Sequence, residues 1–117
     1  MQRACRLRKN RQFQYVYHKG KSCACHELVL LHVRNPRLQV GFSVSKKVGD
    51  SVTRNRVKRR LREQFRQFMP RLKTGLYVII ARNAAAKADS KTLRNSLFYL
   101  LRRQGLFRDA EIAGNKE

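Results

Sequence analysis

Residues 76 to 81, LYVIIA, form a nearly uninterrupted apolar run with β-branched side chains. Such a run marks a strand covered on both faces, and it predicts the central strand of a sheet with helices packed on it. The rest of the chain must supply that cover. With 117 residues it can bury one core but not two. A single domain over 1–117 is therefore expected, with 1–6 and 110–117 as flexible ends.

The flanking segments read as short, continuous elements. Asn10 can cap a helix whose apolar residues Phe13, Val16 and Tyr17 recur at i, i+3, i+4, and Gly20 ends it. The segments "SCAC" and "ELVLLHV" read as extended, and "NPR" turns the chain. In "LQVGFSVS", Val40, Phe42 and Val44 alternate with Gly41, Ser43 and Ser45, which suggests a small antiparallel run with one face on a core. Asp50, Ser51 or Thr53 can cap a second helix that runs to about Met69, before Pro70 stops it. Asp89 or Ser90 can cap a third, with Leu93, Leu97, Leu100 and Leu101 inward and Lys91, Arg94, Arg102 and Arg103 outward. The expected fold class is an α/β (α+β) two-layer sandwich in the order α-β-β-β-α-β-α.

The second helix is the most unusual element. Residues 53 to 66, TRNRVKRRLREQFR, hold seven Arg or Lys against one acid, Glu63. At 100° per residue Val57, Leu61, Phe65 and Phe68 share one stripe. Asn55, Arg59, Arg62 and Arg66 fall on the opposite side, with Arg56 and Lys58 flanking. An ordinary solvated helix intersperses Glu with Lys at i, i+4; this one does not, and charges so dense repel unless phosphates neutralise them. Guanidinium groups also grip phosphate bidentately and stack on unpaired bases.

Composition points the same way. The chain carries 28 Lys+Arg against 7 Asp+Glu, a formal net charge of +21, while 42% hydrophobic residues suffice for a globular fold. A nucleic acid is the expected partner. No run approaches the roughly 20 apolar residues of a membrane-spanning helix, and "MQRACRLRKN" has no apolar signal core, so no membrane partner and a cytoplasmic location are expected. The charge is compatible with a structural ribosomal or other RNA-binding protein, and with a free-standing nuclease or DNA-binding module.

Signals for catalysis in the protein are weak. Glu27, Asp50, Glu63, Asp89, Asp109, Glu111 and Glu117 are scattered, without the clustered carboxylates that hold metal ions for phosphoryl transfer. His18, His26 and His32 lack an obvious orienting acid. Cys5, Cys23, Cys25 and His26 lack the paired C-x2-C spacing of zinc sites, so reduced thiols in or near a strand are expected and no protein-held metal.

The stretch VGFSVSKKVGDSVTRNRVKRRLREQF, residues 40 to 65, resembles the signature of the bacterial ribonuclease P protein, the basic subunit that works with a catalytic RNA to remove 5′ leaders from precursor tRNA. The likeness extends to "LRKNRQFQYVYHKGKS" and "YVIIAR", nearly the whole chain, and the R-N-R element after S-V-S-K-K-x-G is its most specific part. The resemblance implies a sandwich like a ribosomal-protein second domain, with a left-handed crossover joining parallel strands. It implies catalytic-RNA contacts at Arg54, Asn55, Arg56, Lys58, Arg59, Arg62 and Arg66. It also implies a groove for the precursor-tRNA leader around Phe13, Tyr17, Ser43, Ser45, Lys46 and Lys47. Mg²⁺ would serve the holoenzyme through RNA, with no catalytic residue in this chain. Where the family often has an aromatic on the second strand, this chain has Leu31.

Overall fold

The computed structural model describes residues 5 to 108. In order the elements are α1 (Asn10–Lys19), β1 (Lys21–Ala24), β2 (Leu28–Val33), β3 (Gln39–Val44), α2 (Ser51–Phe68), β4 (Leu76–Ala81) and α3 (Ser90–Arg103), with short 3-10 segments at Met69–Arg71 and Asn83–Lys87. This is the expected α-β-β-β-α-β-α sandwich.

The four strands lie side by side in the order β1-β2-β4-β3. The apolar run is indeed central: β4 pairs antiparallel with β2 and parallel with β3. The expected antiparallel run of β1, β2 and β3 is corrected at its last member, because β4 stands between β2 and β3. The reason lies in the connections. A short turn can only fold β1 back on β2, whereas the 18-residue α2 returns the chain for a parallel pairing.

Alternation along β4 divides the interior. Tyr77, Ile79 and Ala81 face α2 and α3, joining Val57, Leu61, Phe65 and Phe68 from one helix and Leu93, Leu97, Leu100 and Leu101 from the other. All four leucines of α3 and Val57, Leu61 and Phe65 of α2 are fully buried. Truncating such a side chain, as in Phe65→Ala, costs about 3–5 kcal/mol. Leu76 and Val78 face the other way, into a smaller cluster with Leu7, Val16 and Leu31. Its cover is thinner: α1 and the segment before it. That segment is held by the sheet edge. The Leu7 N–H donates to Val40 O at 2.9 Å, and Arg6 forms a parallel bridge to Val40. Arg6 is thus paired with the edge of the sheet; of the expected flexible ends, residues 1–4 and 110–117 lie outside the described residues.

Helix starts follow the sequence in two cases of three. Asp50 accepts from the Thr53 N–H at 2.9 Å and Asp89 from the Thr92 N–H at 2.8 Å, so each caps its helix. In α1 the cap position falls on Lys9, with Asn10 already helical, and the Gln12 carboxamide accepts from the Lys9 N–H at 3.4 Å. Gly20 does end α1, but with an extended backbone at φ −74°. A Cβ there would stand 2.5 Å from Val16 O, so glycine serves close approach. Among the described residues no helix is long and apolar enough to cross a membrane.

Candidate nucleic-acid interface

Strand register builds a groove on the α1 side of the sheet. One row of neighbours across the strands is Leu31, Val78, Gly41; the next is Val29, Ile80, Ser43. Helix α1 covers the first row. Val16 is fully buried there, and the Phe13 ring lies so close over Gly41 that a Cβ on that glycine would meet its Cζ at 2.4 Å. The second row is only half-buried and forms an open floor. Phe13 packs on the same cluster as Val29 and Ile80, and its ring centroid lies 6.4 Å from that of Tyr17, which is 38% exposed. At the far end of β3, Ser45, Lys46 and Lys47 are exposed on a turn closed by the Val48 N–H donating to Ser45 O at 3.1 Å. Leu31 belongs to the covered row, buried beneath α1, so the side chain reaching the open floor from β2 is Val29.

On its other side Phe13 borders a 230 Å³ pocket shared with Arg6, Arg8, Gly41, Lys58 and Arg62. No acidic residue lines it. Desolvation, and then the charge of Arg6, lower the pKa of Arg62. Its Nε is buried without an acceptor among the described residues. Four cations around an aromatic edge with no counter-charge favour an anion in that space. Periodicity puts Arg62 on the side opposite the apolar stripe; it lies instead on the flank that turns toward Phe13, partly buried, because α2 leans on the edge strand β3.

The remaining cations of α2 separate into two groups. Arg59 is exposed, one turn after the neutral and exposed Asn55, as is Arg66, which is paired with Glu63. Arg54 donates to Ser51 Oγ at 3.2 Å, one turn back at the helix start. Arg56 reaches Ala86 O at 3.4 Å and Arg60 reaches Ala88 O at 2.9 Å, tying α2 to the 3-10 segment and the residue after it. Periodicity placed Arg56 on a flank correctly but could not show that a carbonyl awaits it. Arg6 and Arg8 were missed as groove residues; their alternation around Leu7 in "RLR" is the signal that a short edge-pairing segment could have supplied.

The described carboxylates each have a structural partner. Asp50 and Asp89 cap helices, Glu63 pairs with Arg66, and Glu27 accepts from Ser96 Oγ at 2.7 Å. Among the described residues no three His, Cys, Asp or Glu side chains converge as metal ligands. Cys5, Cys23 and Cys25 are free thiols. A larger cavity of 690 Å³, around His32, Arg34, Lys73, Thr74 and Arg108, lies at the opposite end of β4 and contains none of the expected site residues.

Comparison with known proteins gives the family and the fold. The family model for ribonuclease P matches residues 1–105. Ribonuclease P protein components from Bacillus cereus and Bacillus anthracis are 37% identical over 112 residues, 92% of this chain and 97% and 94% of theirs. The ribonuclease P protein of Staphylococcus aureus superposes with a TM-score of 0.84 at 34% identity, covering 90% of this chain and 99% of that one. The Thermotoga maritima ribonuclease P protein gives 0.76 at 32% identity, over 84% and 96%. A match of that extent in sequence and in fold places this chain in the ribonuclease P protein family.

Proposed function

We propose that this chain, as the protein component of ribonuclease P, contacts the catalytic RNA through the exposed face of α2 and holds the 5′ leader of precursor tRNA in the groove beside α1. The observation that carries the reading is the junction at Phe13, where an aromatic ring, a half-buried floor of Val29, Ile80 and Ser43 and acid-free cationic walls meet. Rings stack on any base and cations attract any phosphate, so such a groove takes single strands with little sequence preference. A subunit that serves many precursors requires that tolerance.

Bond cleavage is assigned to the RNA, since the described carboxylates are engaged in caps and pairs. Mg²⁺ belongs with the RNA on the same ground, and the assembly is placed in the cytoplasm. The test is reconstitution. Protein alone leaves precursor tRNA intact, and protein with the catalytic RNA processes the 5′ end at lower Mg²⁺ than RNA alone. Specific 5′ cleavage by the RNA-free protein would overturn the assignment.

A further inference from the structure

We infer that the outer face of α3, centred on Phe98, is a second RNA-contact surface that stacks an unpaired base; the inference rests on the proposal that this chain works in complex with RNA. Phe98 is 38% exposed although α3 buries its leucines completely. Its ring is not loose. It lies 6.1 Å from the Phe68 ring and 5.5 Å from the Phe107 ring, both buried, so three aromatics form a fixed platform with one open member.

Cations border the platform. The Arg94 guanidinium stands 6.0 Å from the Phe68 centroid and that of Arg71 4.9 Å from Phe107. Lys91, Arg94, Phe98 and Arg102 fall at intervals of three, four and four residues, a single exposed stripe about 16 Å long on the helix. Residues 90 to 103 contain no acid, and Asp89 before them is engaged in the cap. A second copy of a chain with a net charge of +21 would be repelled from this stripe, whereas a polyanion is attracted, and an exposed ring among arginines is the chemistry that holds an unpaired nucleotide. The stripe is separate from the groove: α3 packs on the sheet face opposite α1 and beside α2.

The chain has no tryptophan, so Phe98→Trp in the full-length protein creates a single reporter. Its emission is expected to quench saturably as the ribonuclease P RNA is added, and Phe98→Leu, which retains apolar packing, is expected to bind that RNA about five- to a hundredfold more weakly. Quenching by precursor tRNA alone would support the stacking site and assign its base to the substrate. Unchanged emission with both RNAs, while binding proceeds, overturns the inference; so does a concentration-dependent dimer in sedimentation that Phe98→Leu abolishes. A parallel Phe13→Trp reporter keeps the two readings apart, because signal at 13 without signal at 98 removes only the α3 site.

Discussion

The ring of Phe13 occupies the space where a side chain at Gly41 would be: a Cβ on Gly41 would meet Phe13 Cζ at 2.4 Å and Cε1 at 2.6 Å. Glycine at 41 therefore sets the position of the aromatic wall relative to the groove floor. Gly41→Ala should displace the ring and cost about 1–3 kcal/mol of stability as overpacking. Leader affinity should fall with it, since the displaced ring no longer stands beside Ser43. Thermal melting and leader binding by the reconstituted holoenzyme measure the two effects; a variant that keeps both would show that α1 shifts as a unit to make room.

Phe13 itself has a double position, packed against the smaller cluster and bordering the cationic pocket. Alanine would confound the two roles. Phe13→Leu keeps much of the apolar volume and removes the stacking surface, which contributes about 1–3 kcal/mol per base. The variant should lose affinity for precursor tRNA bearing a leader of several nucleotides and keep its affinity for mature tRNA. Equal weakening of both ligands, with a lowered melting temperature, would make Phe13 a packing residue alone.

Two neighbouring arginines on α2 should behave differently. Arg59 is exposed, and Arg59→Gln should weaken association with the catalytic RNA and make its log–log salt slope shallower by about one, leaving the melting temperature unchanged. Arg60 donates to Ala88 O at 2.9 Å, and Arg60→Gln should lower stability by about 1–2 kcal/mol while changing the salt slope less. Matching profiles for the two variants would mean that the Arg60 bond gives way to phosphate when RNA binds.

The arginine pair also marks how far the sequence is readable. Periodicity identified the stripes, because burial at Val57, Leu61, Phe65 and Phe68 depends only on the turn of the helix. The LYVIIA run announced a central strand because both its faces must be covered. Alternation in β3 likewise assigned faces, but a strand's partner depends on its connection, and the insertion of β4 between β2 and β3 follows from α2 and not from any residue of β3. For the same reason the carbonyls that meet Arg56 and Arg60, and the edge pairing of Arg6 with Val40, come from segments distant in sequence. The groove residues were named from the family likeness; the register explains why they meet, and why Leu31 lies below α1 while Val29 faces out.

Acid should lower the stability of the fold in two stages. His32 is half-buried, with its Nε2 3.2 Å from Thr74 O and its ring edge-on to Tyr77 at a centroid distance of 4.7 Å. Desolvation pushes its pKa below the ordinary 6.5; the bond to Thr74 opposes this and the charge of Lys73 adds to it. The unfolded chain therefore takes up the proton more readily, and stability should fall as pH drops below about 6.5 toward the folded value. Asp50 and Asp89 are lowered from 3.8 chiefly by the backbone N–H groups of Thr53 and Thr92, so the benefit of both caps persists above that value and is lost on further acidification. Melting temperature followed against pH should show an upper step that disappears in His32→Gln and a lower one that diminishes in Asp50→Asn, whose carboxamide still caps but does not titrate. If His32→Gln retains the upper step, the packing of His32 on Tyr77 has no part in it.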